Sequence, residues 1–315
     1  MARYALQRLL MVIPTLVGMT LLIFILVRLL PGDVVTSMSV GEVTSDAAHQ
    51  RIRQALGLND PWPVQYLHYV GGLVTGNLGT SFLSGEPVAL ILGRAIPITI
   101  ELALLAVGLA IIVGTPLGIV SAVRPNTRLD VVSRVGGLIG LSVPSFWIAT
   151  LGLLITSLVF HWIPAVTWIP FWTDPLGNLV QMALPACALS LATLAIVMRM
   201  TRASLLEVLQ EDFVRTARAK GMAPKPVIFA HALRNALIPV VTVIGTQVGA
   251  LMGGAVVIEV IFGLPGVGYS LVQAIYNRDY PIVQVAVVYL ALVFVFVNLG
   301  VDLLYGVIDP RIKQR

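Results

Sequence analysis

Residues Glu211–Pro239 read EDFVRTARAKGMAPKPVIFAHALRNALIP, a polar and strongly basic interval between two long apolar runs. It carries Arg215, Arg218, Lys220, Lys225 and Arg234 against Glu211 and Asp212. Glu207 to Arg218 has helix-forming composition, and Gly221 followed by Pro224 and Pro226 is a stop signal. The expectation is a short helix, a glycine turn, and a second helix that re-enters apolar sequence at Ala236. Such an element is too polar for lipid, so it belongs at a membrane surface. It is either a docking element or an ordinary basic loop, since basic cytoplasmic loops are common.

The surrounding composition makes the membrane unavoidable. Hydrophobic residues form 57% of the 315-residue chain and charged residues only 11%, whereas soluble domains carry about 25% charge. The Lys and Arg excess, 20 against 15 acidic residues, sits beside apolar runs. It therefore reads as topology and not as a nucleic-acid footprint. The single cysteine, Cys187, rules out an intrachain disulfide and is expected to be a small packing residue.

Outward from the basic interval, a span needs ~20 apolar residues, and six stretches qualify. They run from about Leu9 to Leu30, Ile98 to Val123, Val135 to Phe160, Leu179 to Met198, Leu237 to Ile258, and Ile282 to Ile308. The first is long enough to span and is followed by no A-x-A-like site, so no cleavable signal is expected. The chain is thus expected to be an all-α integral membrane protein of six transmembrane helices. Residues 1–30 form the N-terminal tail and first span, and 31–97 a small extracytoplasmic domain. Residues 98–315 form a five-span core holding the basic loop 207–236.

Fifteen of the 20 basic residues fall on one face of this arrangement, including Arg3, Arg8, the basic interval and Arg311. The positive-inside rule makes that face cytoplasmic, with both termini on it. Trp162, Trp168 and Trp172 lie at the other surface, where interfacial tryptophan is common.

Catalytic and nucleotide motifs are missing. Gly263 to Ser270 has the glycine and serine spacing of a phosphate-binding loop, but Tyr269 stands where the lysine must be. There is no H-E-x-x-H and no G-x-S-x-G, and the four histidines are scattered, so no metal set is expected. An integral-membrane enzyme would lack its nucleophile, base and metal.

Two acids lie within spans. Glu101 is about one turn into the second, and Asp302 about two turns from the inner end of the sixth. Either could couple an ion, because burial in lipid is costly. The alternative is interhelical hydrogen bonding, with Asp302 paired to Arg199, Arg202 or Arg234. Gly245, Gly249 and Gly253 share one face of the fifth span, with Gln247 beside them. That face suits either close helix packing or the border of a pore. Pro14, Pro144 and Pro185 lie inside spans, where they either kink the helices or mark packing irregularities.

The basic interval resembles the cytoplasmic EAA loop of permease subunits of binding-protein-dependent ABC importers. Arg215-Thr216-Ala217 stands for the triplet, Gly221 for the glycine, and Leu233-Arg234 for the final pair. Of these, Ala217, Gly221 and Leu233 fit the general pattern. EDFVRTARAKG followed by HALRNALIPVV is similar to the dipeptide, oligopeptide and nickel branch. So are LPGD (30–33), LGLNDPWPVQY (56–66), GNLGTSF (76–82), RAIPITIELA (94–103), LPGVG (264–268), RDYPIVQ (278–284) and VDLLYGVIDPRI (301–312). The resemblance covers nearly the whole chain in order.

It implies the type I ABC importer permease fold in a bacterial inner membrane, and a non-catalytic subunit. It also implies ATPase docking through Arg215, Thr216, Ala217, Arg218, Ala219, Lys220 and Gly221. Ala217 and Ala219 would permit close approach, Gly221 would turn the chain, and the basic residues would supply pairing charges. The implied partners are a second, homologous permease, one or two cytoplasmic ATPase subunits, an extracytoplasmic binding protein and membrane lipid, with no nucleic acid. The chain itself would bind no cofactor, and ATP and Mg would sit on the ATPases. Di- or oligopeptides are the expected cargo, with glutathione and nickel chelates also open. The competing class is a stand-alone secondary carrier or channel using Glu101 and Asp302, which the absence of an internal repeat disfavours.

Overall fold

The computed structural model describes residues 2–29, 50, 54 and 57–308, of which 2–10 and 302–308 by backbone alone. The LPGD stretch, Arg311 and the side chains of Arg3, Arg8 and Asp302 lie outside this description. Among the described residues there is no strand, only a lone bridge between Thr80 and Pro87.

The elements run α1 (Ala2–Leu29), α2 (Trp62–Thr75), α3 (Val88–Val123), α4 (Arg128–Ser142), α5 (Ser145–Phe160), α6 (Pro175–Val208) and α7 (Asp212–Ala219). A helical turn Pro224–Pro226 and a π-helical segment Val227–Ala232 then lead into α8 (Leu233–Phe262). Helices α9 (Val267–Tyr276) and α10 (Tyr280–Ile308) follow. Among the described residues five stretches are long and apolar enough to cross a membrane: Met11–Leu29, α3, α6, Pro224–Phe262 and Tyr280–Val301. Helices α4 and α5 make a sixth if taken together.

Three features differ from the sequence expectation. The third span is broken and not merely kinked: α4 and α5 meet at 101°. Val143 is extended (φ −91°, ψ 124°), as a residue before proline tends to be, and Pro144 cannot continue the hydrogen-bond ladder. The helix that carries the second span begins at Val88, so the last ten residues of the expected 31–97 domain are the start of α3. Cys187 is exposed on α6 and not packed inside.

The chain divides into two compact units, Ala2–Thr99 with Pro265–Val295, and Ile100–Leu264 with the segment from Phe296 onward. In the first, Leu58, Leu73, Leu78 and Phe82 pack onto a core of Val27, Val88, Leu92, Val267, Leu271 and Val283. The segment after α1 therefore shares its core with helix ends from elsewhere in the chain. Arg28 lies over the Phe24 ring, 3.5 Å from its centroid, and donates from Nε to Gln65 Oε1 at 3.1 Å. The carboxylate of Asp279, nearly inaccessible, accepts from Ser81 Oγ and from the Phe82 backbone N–H at 3.1 Å, fixing that loop.

The second unit is built around α6, which packs against α4, α5 and α8. Small residues let the helices close on it. A Cβ at Gly118 would lie 2.6 Å from both Met198 O and Thr201 Cβ, so only glycine permits α3 to approach this closely.

Candidate functional site

The surface built by α7 and its flanking turns follows directly from its sequence. Glu211 precedes the helix in extended conformation, Asp212 lies in the first turn and Arg218 in the last, the charge order a helix dipole favours. At the other end the Met222 N–H donates to Ala217 O at 3.3 Å and the Gly221 N–H to Arg218 O at 3.0 Å. These two bonds define a Schellman motif with Gly221 as its left-handed residue, at φ +79°.

Helix α7 has two unlike faces. Val214 and Ala217, three residues apart, point inward onto Ala122, Leu205, Val227, Ala232 and Ala236. Burying Val214 fully contributes roughly 2 kcal/mol by transfer of its side chain from water. The π-helical segment serves the same cluster. Its wider turn keeps Val227 and Ala232, five residues apart, both buried and leaves His231 exposed. A regular turn would instead have paired Val227 with His231.

The other face presents Arg215, Thr216, Arg218, Ala219 and Lys220 to solvent. Phe213, Met222 and Phe229 lie exposed around them, Phe229 by 59%. Arg215 meets Asp212 at 3.6 Å with both side chains largely in solvent, a pair of little energetic weight. Phenylalanine, methionine and arginine are residue types enriched at protein interfaces. Of the seven residues expected to meet an ATPase, six are thus exposed. Ala217 is the exception: it is covered by this chain's own helices, so it positions the surface and does not form it.

A buried polar cluster joins the end of α3, the start of α4 and α6. Asp130 is fully buried. It accepts from Arg202 Nε at 2.8 Å and Arg202 Nη2 at 3.1 Å, from Ser121 Oγ, and from the Asn126 N–H at 2.9 Å. Arg134 Nε stands 3.6 Å away. Thr127 caps α4 by accepting from the Asp130 N–H at 3.4 Å. Thr127-x-x-Asp130 before an apolar run is a variant of the capping box, with Asp in place of Glu, and it was the available signal. Two of the three Arg202 guanidinium nitrogens, Nε and Nη2, are on Asp130, while the expected pairing of Asp302 with Arg199, Arg202 or Arg234 involves a side chain outside the described residues.

Glu101 lies well inside helix α3. Thirteen residues separate it from Val88, about 20 Å along α3 at ~1.5 Å per residue. Its carboxylate accepts from Trp168 Nε1 at 3.1 Å and from Asn178 Nδ2. It ties the tryptophan-bearing connection to α3 and α6. Asn178 and Gln181, both buried, bind carbonyls of the same connection.

The α8 glycines separate in space. A Cβ at Gly245 would collide with the Val301 side chain at 2.3 Å. Gly249 is buried, while Gly253 is exposed with nothing within 4 Å. Gln247 is half-buried. Glu259, also on α8, is fully buried and was not singled out, because it falls one residue past the expected span.

Residues 114–314 match the family described as binding-protein-dependent transport system inner membrane component. Residues 1–103 match its N-terminal companion. The chain is 41% identical over 333 residues to the dipeptide transport system permease protein DppB of Alkalihalophilus pseudofirmus, covering 99% of this chain and 100% of that one. The protein of the same name in Escherichia coli K12 is 41% identical over 338 residues, with full coverage of both. A putative peptide transport system permease protein of Brucella abortus is 42% identical over 313 residues, 99% of each chain. Among solved structures, an amino acid ABC transporter crystallised with histidines superposes with a TM-score of 0.55 at 15% identity, over 72% of this chain and 99% of that one. This last likeness concerns the fold.

Proposed function

The chain belongs to the family of inner membrane components of binding-protein-dependent transport systems, and from that premise we propose that it is a permease subunit of an ATP-driven importer of di- or oligopeptides. The observation that carries the peptide reading is the end-to-end identity with permeases named for dipeptide and peptide transport.

In this reading the exposed face of α7, with the turn through Gly221, seats in a groove on a cytoplasmic ATPase. Arg215, Arg218 and Lys220 meet acidic groups there, Phe213 and Met222 fill apolar recesses, and Ala219 allows backbone approach. Closure of the ATPases around ATP presses on α7, and the spans alternate between inward-open and outward-open arrangements. The chain itself holds no nucleotide. A second, homologous permease completes the pathway, and an extracytoplasmic binding protein delivers the cargo. Both termini lie in the cytoplasm, as the distribution of basic residues supports. A carrier working by ion coupling at Glu101 gains nothing from that residue's setting, where tryptophan and asparagine donors hold the carboxylate in a structural bond.

The test is reconstitution in vesicles with and without the ATPases, partner permease and binding protein of its transport system. Labelled dipeptide should accumulate only with the complete set and ATP. Accumulation by the chain alone would overturn the proposal. Transport of a glutathione or nickel chelate in preference to dipeptides would overturn its cargo only.

A further inference from the structure

A groove of about 280 Å³ runs between α4 and α6. On α4 its wall is Arg134, Gly137, Leu138 and Leu141, and on α6 it is Ala195, Met198, Arg199 and Arg202. Both sets follow three- and four-residue spacing, so each is one stripe of its helix. The arginines stand at the same end of both stripes, and the remainder is apolar. Gly137 and Ala195 keep the floor low: the Met198 Cε lies only 2.5 Å from where a Cβ of residue 137 would be.

The charge at the mouth is unbalanced. Three guanidinium groups meet one carboxylate, which leaves a net charge of 3 − 1 = +2. Arg202 spends its fork on Asp130. Arg134, half-exposed, reaches Asp130 only at 3.6 Å. Among the described residues no carboxylate pairs with Arg199. A cationic mouth above an apolar trough between membrane-spanning helices matches one amphiphile, an anionic head joined to a hydrocarbon chain. Exposed Leu129, Val132 and Val135 on α4 continue the apolar surface beside it.

We propose that this groove binds one anionic glycerophospholipid of the bilayer, with its phosphate between Arg134 and Arg199 and an acyl chain along Leu138, Leu141 and Met198. The site uses neither α7 nor Glu101, so it stands apart from cargo identity. Arg134 and Arg199 are the selective groups. Arg202 is committed to Asp130 and shapes the rim.

The experiment is native mass spectrometry of the complete transporter, released from nanodiscs holding equal phosphatidylglycerol and phosphatidylethanolamine. The wild type should retain phosphatidylglycerol at least fivefold in excess. The double variant Arg134→Gln/Arg199→Gln should lose that excess, and Arg134→Lys/Arg199→Lys should keep most of it. Arg94→Gln, an exposed arginine outside the groove lining, should leave the phosphatidylglycerol excess unchanged. The wild-type comparison needs no variant, so a folding defect in the double variant leaves the proposal testable. Equal retention of the two lipids, or complete displacement of the bound species by millimolar inorganic phosphate, would overturn it. So would disulfide trapping of Leu138→Cys to the second permease, which would show a protein covering the groove.

Discussion

Asp130 and Arg202 lie 72 residues apart, yet the arginine's Nε stands 2.8 Å from the carboxylate that anchors the start of α4. Removing one partner of a buried pair leaves the other charged and unsolvated, at a cost of roughly 3–5 kcal/mol. Asp130→Ala should therefore lower the unfolding temperature in detergent strongly. Asp130→Leu combined with Arg202→Met should recover most of the loss, because paired apolar replacement removes both desolvation costs. An unchanged melting temperature in the Asp130→Ala variant would count against this pairing.

Ala217 and Ala219 make a contrasting pair. A carboxylate at the buried position has to displace Leu205 or Val227, so Ala217→Glu should destabilise α7 and lower the yield of folded protein. Ala219→Glu faces solvent and should fold normally while weakening recovery of the ATPase by affinity purification. Equal thermal stability of the two variants would contradict the inward placement of Ala217.

Gly221 adopts φ +79°, a conformation that costs other residues about 1 kcal/mol or more. Gly221→Ala should leave the chain in the membrane and loosen the turn. ATP hydrolysis in the reconstituted complex should continue while peptide uptake falls several-fold. Tightly coupled hydrolysis and uptake in this variant would remove the turn from the mechanism.

Gly118 and Gly108 test close packing against open space. A Cβ at 118 meets the α6 backbone, while one at 108 meets nothing within 4 Å. Gly118→Val should cost roughly 1–3 kcal/mol or more through overpacking, whereas Gly108→Ala should be neutral or slightly stabilising. Thermal scans of both variants in the same detergent decide the matter.

Glu101→Gln keeps an acceptor for the Trp168 indole N–H. Transport by the full complex should stay within a few-fold of wild type, with a modest loss of stability. Abolished uptake with an intact melting profile would revive an ion-coupling role for this carboxylate.

The membrane helices were legible because apolar runs of this length have no other home. Their ends were less so. Arg94, which bridges to Glu86 at 2.8 Å, makes the start of α3 look like part of an outer domain, although the arginine simply reaches solvent from a helix. Pro144 was visible, but a kink became a break only because Val143 went extended before it. The exposed residues of α7 were readable from motif and charge. The inward turn of Ala217 could have been inferred from its spacing to Val214, but the residues it meets come from α3, α6 and α8. Asp130 was hidden for the same reason, since its partner on α6 is distant in sequence.

The cluster under α7 draws Ala122 from the end of α3, Leu205 from the end of α6, Val227 and Ala232 from the π-helical segment, and Ala236 from the beginning of α8 that continues it. Val214 and Ala217 thus act as a knuckle seated in a socket made by three separate rods. A load applied to the outer surface of α7 would therefore bear on all three rods through this one socket.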